Sequence, residues 1–331
     1  MRVGRQRKEN FYLKKDYTAY LQGKNLSPAT IRHYYWQLSL FLAWIKKEET
    51  NITKADVLKY LEYLKSQRAL QNVSRSIALA AFKSYFTFLH KAEQITDNPT
   101  ALLKIRGTKK RQLYKIYSSE ELTQLCDNYY LLYVQNFDER CYAPKLGGIP
   151  ANQRKQSLLS RQRNYIMLGL LIYQGATTKE IEKVLLQDID LTKATIKIRG
   201  GKRSNERTLP LHDSQIGSLI NYIENIRPQF FAYCEESEKL FFALPESSKR
   251  KTSSTSLMHT FKPLTKQLKS IDKNLANFKQ VRASVITQWL KLYGLRKAQY
   301  YAGHRYISST EKYLPNQIEG LIDDVAKYNP F

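Results

Sequence analysis

Tyr313 lies nine residues after His304 in the segment AGHRYISSTEKY (302–313), the most polar part of the C-terminal region. Upstream, KQVR (279–282) supplies Lys279 and Arg282, and the turn sequence GGKRSNERTLPL (200–211) supplies Lys202. Side chains of these types can together break and remake a phosphodiester without a metal. That reaction needs a nucleophile, a proton for the departing 5′-oxygen, and positive charge around the crowded phosphorus of the transition state. A phenol that attacks phosphorus becomes a phosphotyrosine ester. The ester keeps the energy of the broken bond, so the strand can be rejoined without ATP. The competing reading for Tyr313 is an ordinary core or surface residue, because the chain has 24 tyrosines.

These residues depend on the elements that carry them. Arg282 falls close to the apolar face formed by Phe278, Val281, Val285 and Trp289 at helical spacing, so it is expected to be partly buried. A buried arginine needs a partner; a phosphate would satisfy it, and so would a structural carboxylate. Lys279 precedes it by three residues, on the same helical side. SSTEKY predicts a short capped helix that presents the Tyr313 hydroxyl. TIKIRGGKRSNERTLPL predicts a hairpin with strands over 195–198 and 208–211 and a Gly200-Gly201 turn region holding Lys202. SSEELTQLC opens a helix with a serine cap, RNYIMLGLLIYQG is a buried helix ending at Gly175, and the polar stretch 127–163 reads as an inserted loop.

The first hundred residues predict a small bundle of four amphipathic helices. One starts at Ser27-Pro28 and carries Ile31, Tyr35, Leu38, Phe41, Leu42 and Ile45; another starts at Thr53 and carries Val57, Leu58, Leu61 and Leu64. NVSRSIALAAFKSYFTFLHKAE and the shorter FYLKKDYTAYLQGK complete the set. Asn98-Pro99 breaks the region. The stretch 104–115 that follows holds six basic residues and no acidic one, as a solvated tether or a strand-tracking linker would.

The charge balance points to a polyanionic partner. Lys and Arg number 54 against 29 Asp and Glu, a formal charge of +25 with a pI near 9.8, and the excess is spread along the whole chain. That spread disfavours an amphipathic membrane anchor. Hydrophobic residues make up 42%, enough for real cores. Cys126, Cys141 and Cys234 have no metal-ligand spacing and read as reduced thiols. No apolar run has membrane-spanning length, and MRVGRQRKENF lacks the apolar centre of a leader peptide.

QGATTKEIEKVLLQDID (174–190), GGKRSNERTLPL, KQVR and AGHRYISSTEKY, in this order, resemble the tyrosine recombinase/phage integrase family. LSPATIRHYYWQLSLFLAWI resembles that family's core-binding domain, so the likeness covers nearly the whole chain. Gly303-His304 followed by Thr310 and Tyr313 is its most specific part. The resemblance implies a mainly α fold with a small β-hairpin or sheet: an N-terminal helical bundle plus a mixed α+β catalytic domain. Its implied divisions are a core-binding domain over 1–103, a basic linker over 104–115, a catalytic domain over 116–313 and a tail over 314–331. It also implies roles: Tyr313 as nucleophile, Arg282 and Lys279 as phosphate donors, His304 on a phosphate oxygen or on the tyrosine's proton, and Lys202 as acid for the leaving oxygen. No cofactor or metal is implied.

The same resemblance marks a departure. An ungapped match places Thr177 where the family has its first arginine, with Glu180 at the family's acidic position. A nearby cation such as Lys179 or Arg199 could fill the gap, or the enzyme could be slow, or the chain could be a DNA-binding relative without strand transfer. The implied activity is site-specific recombination through a 3′-phosphotyrosine and a Holliday junction. The alternatives are a non-catalytic DNA-binding protein or regulator of recombination, and a relaxing topoisomerase. The implied partners are double-stranded DNA, three further copies of the chain in a tetramer on two duplexes, and accessory DNA-bending factors. The implied setting is cytoplasmic and nucleoid-associated, in a bacterium, phage or mobile element, with no membrane. In the tail, Ile318, Leu321, Ile322 and Val325 form a one-sided apolar stripe, suited to docking on a neighbouring copy or on the protein's own surface.

Overall fold

The computed structural model of the protein describes residues 15–107, 115–137, 151–201, 204–244 and 256–314. The chain divides into two compact units, residues 1–112 and 113–331.

Among the described residues the first unit holds four α-helices, α1 (Lys15–Gly23), α2 (Pro28–Ile45), α3 (Lys54–Ser66) and α4 (Asn72–Lys91). Their starts follow from capping chemistry. The Ser27 hydroxyl accepts from the Thr30 N–H, with Pro28 at the first helical position. Thr53 and Asp56 form a reciprocal capping box at α3. Tyr35, Leu38 and Phe41 of α2 meet Phe82, Tyr85 and Phe86 of α4 in one core, where the Phe41 and Phe82 rings lie 4.7 Å apart. In α3 the buried stripe is Val57, Tyr60, Leu61 and Leu64. Leu58, expected inward, is exposed, because at 100° per residue a narrow seam through 57, 60/61 and 64 leaves position 58 at its edge.

The second unit begins at α5 (Ser119–Tyr130), capped by Ser118 and Glu121. The long α6 (Ala151–Tyr173) follows, then α7 (Thr178–Ile181). Residues 127–135 and 151–163, expected within an inserted loop over 127–163, are therefore helical. ANQRKQSLLSRQR carries no apolar stripe, yet Leu159 and Arg163 within it are buried, so packing against the rest of the unit extends the helix. The apolar second half of α6, Ile166 to Ile172, enters the core. Three short strands, β1 (Ile189–Asp190), β2 (Thr195–Ile198) and β3 (Arg207–Pro210), form an antiparallel sheet in that order. Ile196 faces Leu209 and Ile198 faces Arg207. β3 thus begins one residue earlier than its sequence suggests. Alternation along β3 places Arg207 and Leu209 inward and Thr208 and Pro210 outward.

The remaining helices are α8 (Asp213–Asn221), α9 (Met258–Ile271), α10 (Phe278–Ala302) and α11 (Ser308–Glu311). α10 is interrupted at Gly294, whose φ of +74° breaks the helical backbone. Val281 and Val285 face the main core, with Phe278 and Trp289 packed at its edge. Ile286, Leu290, Ala298 and Ala302 close a second small cluster across the break, and Tyr313 packs on it. The helix before Tyr313 exists, but Ile307 at its N-cap gives no side-chain cap, so the serines of ISSTEKY do not act as expected. Among the described residues Cys126 and Cys234 are free and buried, and no helix is long and apolar enough to cross a membrane. The tail stripe from Ile318 to Val325, residues 108–114 of the basic stretch, and Cys141 lie outside the described residues.

Candidate active site

Arg282, His304 and Tyr313 converge in the second unit. Arg282 sits in the second turn of α10, which starts where Asn277 caps the N–H groups of Lys279 and Gln280. Its side chain is 12% exposed. Nη1 donates to the Gly175 carbonyl, and Nη2 donates to the Ala302 carbonyl at 2.6 Å and reaches His304 Nε2 at 3.4 Å. Gly175 can present its oxygen because it turns left-handed (φ +53°) at the end of the α6 segment. Arg282 therefore ties the C-terminal end of α6 to the C-terminal end of α10.

The Gly303-His304 turn is equally determined. Gly303 is the left-handed C-cap of α10, and a Cβ built there would clash with Arg207 Nη1. Its carbonyl accepts the Asn205 N–H at 2.9 Å, and Ser204 pairs with His304 in an isolated bridge. The hairpin base is thereby stitched to the histidine. Since Arg282 can only donate, His304 Nε2 is the acceptor of that contact. Nδ1 then carries the proton and donates to Thr310 Oγ1 at 2.9 Å. The ring lies parallel to Tyr313, with centroids 5.9 Å apart and planes 11° from parallel. Tyr313 is also within interaction distance of Arg282.

Electrostatics hold His304 neutral. Burial first, then the charges of Arg282, Arg207 and Lys312, push its pKa down to about 4, against a weaker opposing effect of Glu180. A neutral imidazole with an unprotonated Nε2 can accept a proton from a phenol. The unfolded chain, with an ordinary histidine pKa of 6.5, takes up this proton first as pH falls. His304 thus contributes stability that is fully present above about pH 6.5 and lost as pH drops toward 4. Thermal melts at pH 7 and pH 5 are expected to fall further for wild type than for His304→Asn; parallel curves would remove His304 as the source.

Glu180 is buried in the same place. Arg207 approaches it with both arms, Nη1 to Oε1 at 2.8 Å and Nη2 to Oε2 at 3.3 Å, and Arg282 Nη1 lies 3.8 Å from Oε2. Burial alone would raise the Glu180 pKa, but the bonds and charges of Arg207 and Arg282 bring it below the usual value. Glu180 is therefore ionised. The expected carboxylate partner of Arg282 is present, but Arg207 holds it more closely.

Thr177 is a helix cap: its Oγ1 accepts the Glu180 N–H at 3.2 Å, and Glu180 Oε2 accepts the Thr177 N–H at 2.8 Å. Of the two cations that could fill the gap, Arg199 is bound to Asp188 at 2.8 Å, and Lys179 is exposed on α7, its side chain without a partner among the described residues. Thr177→Arg is expected to lower the melting temperature, since losing such a cap costs about 1 kcal/mol. It is also expected not to raise DNA cleavage, because two guanidinium groups already flank Glu180. A variant that cleaves faster than wild type would contradict this.

Lys279 is exposed one turn before Arg282, and its side chain makes no hydrogen bond or ion pair among the described residues. Lys202 lies outside the described residues; the flanking Gly201 and Ser204 exchange backbone hydrogen bonds. Arg207 escapes the sequence reading, and Thr310, named there only as part of the motif, proves to be the partner of His304 Nδ1. Arg207 had one usable signal: if Leu209 and Leu211 face the core, the residue two before Leu209 shares that face. Among the described residues no group of three or more His, Cys, Asp and Glu side chains is gathered as a metal site requires.

Comparison with known proteins agrees with this architecture. Residues 151–319 match the phage integrase family, and residues 13–96 match the phage integrase N-terminal SAM-like domain. The chain belongs to the phage integrase family, whose members are tyrosine recombinases. It is 25% identical over 322 residues to tyrosine recombinase XerC of Natranaerobius thermophilus, covering 95% of this chain and 97% of that one. Among solved structures it resembles XerH site-specific recombinase bound to a palindromic difH substrate, with a TM-score of 0.64, 17% identity, and 92% and 82% of the two chains covered. A lambda integrase dimer on a COC′ core site gives 0.60 at 13% identity, covering 91% of this chain and 94% of that one. At these identities the structural likeness concerns the fold alone.

Proposed function

We propose that the protein is a site-specific DNA recombinase that uses Tyr313 as its nucleophile. The observation that supports this most is the convergence of Arg282, neutral His304 and Tyr313 from separate segments onto one small site. Tyr313 Oη attacks the scissile phosphorus, its proton passing to His304 Nε2. A bond forms between the tyrosine oxygen and phosphorus as the bond to the 5′-oxygen breaks, and Lys202 gives that oxygen its proton. Arg282 and Lys279 hold the nonbridging oxygens; the planar fork of Arg282 suits two at once. A 5′-hydroxyl from a second duplex then attacks the 3′-phosphotyrosine and expels the phenol. Two such exchanges pass through a Holliday junction.

DNA binding fits the charge of +25 and the basic stretch 104–115, where each neutralised phosphate adds a salt-dependent term. A tetramer on two duplexes is the assembly that strand exchange requires, with the 314–331 tail docking on a neighbouring copy. Thr177 is the observation that favours a second reading, a DNA-binding protein without strand transfer. The deciding experiment incubates the protein with nicked suicide duplexes tiled across the DNA flanking its gene, followed by denaturing electrophoresis. A covalent protein–DNA band is expected. Its absence on a duplex shown to be bound would favour the second reading.

A further inference from the structure

Glu180 creates a difficulty for any phosphate-binding role. It is buried, ionised and 3.8 Å from Arg282, so by itself it would cancel the Arg282 charge. It also closes the α7 cap with Thr177, so it has a structural task of its own. We propose that Arg207 stands in for the cation that Thr177 cannot supply, acting as a positioning residue that takes up the Glu180 carboxylate and leaves the Arg282 charge for the phosphate. This rests on the recombinase reading above.

Three observations carry it. First, Arg207 arrives from β3, a different element from α7, yet its two-armed contact occupies the Glu180 carboxylate. Its side chain is fully buried, where charges are screened least. Second, two arginines against one carboxylate leave a single net positive charge beside Tyr313; without Arg207 the remaining pair sums to zero. Third, the surroundings are shaped for this guanidinium. Gly303 leaves room for Nη1 where any Cβ would clash, directly before His304, and Arg207 Nε is buried with no hydrogen-bond partner among the described residues.

The test compares Arg207→Met, the double variant Arg207→Met/Glu180→Gln, and wild type. The probes are the nicked duplexes above, with either a normal phosphodiester or a neutral methylphosphonate at the scissile position. Arg207→Met is expected to cleave the phosphodiester about a hundredfold more slowly. On the methylphosphonate, which carries no charge to be matched, its deficit against wild type should shrink to less than about tenfold. The double variant restores the wild-type net charge and leaves no orphan carboxylate, so it should recover on the phosphodiester to within about tenfold. It also keeps the test informative if the single variant fails to fold.

An equal deficit on both substrates in a folded protein, or a double variant as slow as the single one, would overturn the proposal. If wild type forms no covalent product on any duplex, the recombinase reading fails separately, and the Arg207 charge is then judged by proton NMR of His304. The imidazole midpoint should rise in Arg207→Met; an unchanged midpoint would overturn the proposal.

Discussion

Tyr313→Phe is expected to bind the same duplexes as wild type and to form no covalent complex at all. The substitution removes one oxygen. The ring that remains still packs on the cluster of Ile286, Leu290, Ala298 and Ala302 and still lies parallel to His304, so stability should change by no more than about 0.5 kcal/mol. The measurement is a pair of assays on one preparation: a binding isotherm that is unchanged and a denaturing gel without the shifted band. A band that persists would move the nucleophile elsewhere, and Tyr306, 68% exposed in the same turn region, would be the next to replace.

The second large effect is at Arg282. Arg282→Lys keeps the charge and loses the fork. One ammonium cannot span the Gly175 carbonyl, the Ala302 carbonyl and His304 Nε2, which the guanidinium contacts together, and still face a phosphate. Covalent-complex formation should slow by about a hundred- to a thousandfold, the scale on which transition-state donors act. Arg282→Ala should lose activity to a similar degree and stability as well, because each buried carbonyl left without a donor costs about 1–3 kcal/mol. Rates on a suicide duplex and thermal melts separate the two. An active Arg282→Lys would show that charge alone suffices and that the fork is dispensable.

Much of this was legible in the chain. The helix starts at Ser27, Thr53 and Ser118 are local events, decided by a hydroxyl and the next three residues, and they stand where those residues place them. Arg282 was readable as half-buried because Val281 and Val285 fix which way α10 faces. The first half of α6 was not readable, since its residues carry no stripe and only the rest of the fold decides that they continue a helix. Thr177 was legible in one sense and misleading in another. Thr-x-x-Glu at 177–180 is a capping box on its face, yet as a missing arginine it directed attention to Lys179 and Arg199. Arg207 was lost to a one-residue error in the start of β3, which put it in the turn rather than on the inward face. No local pattern reports that its partner lies across the unit on α7.

The pairing of β2 with β3 also sets where this gene can change in length. Insertions between Gly201 and Ser204 lengthen only the tip and leave the alternation of β3 untouched. A single added residue between Arg207 and Leu209 would turn the guanidinium to solvent while the leucine stays anchored, stranding Glu180. Indels in viable descendants should therefore collect at the tip and be missing from the strand.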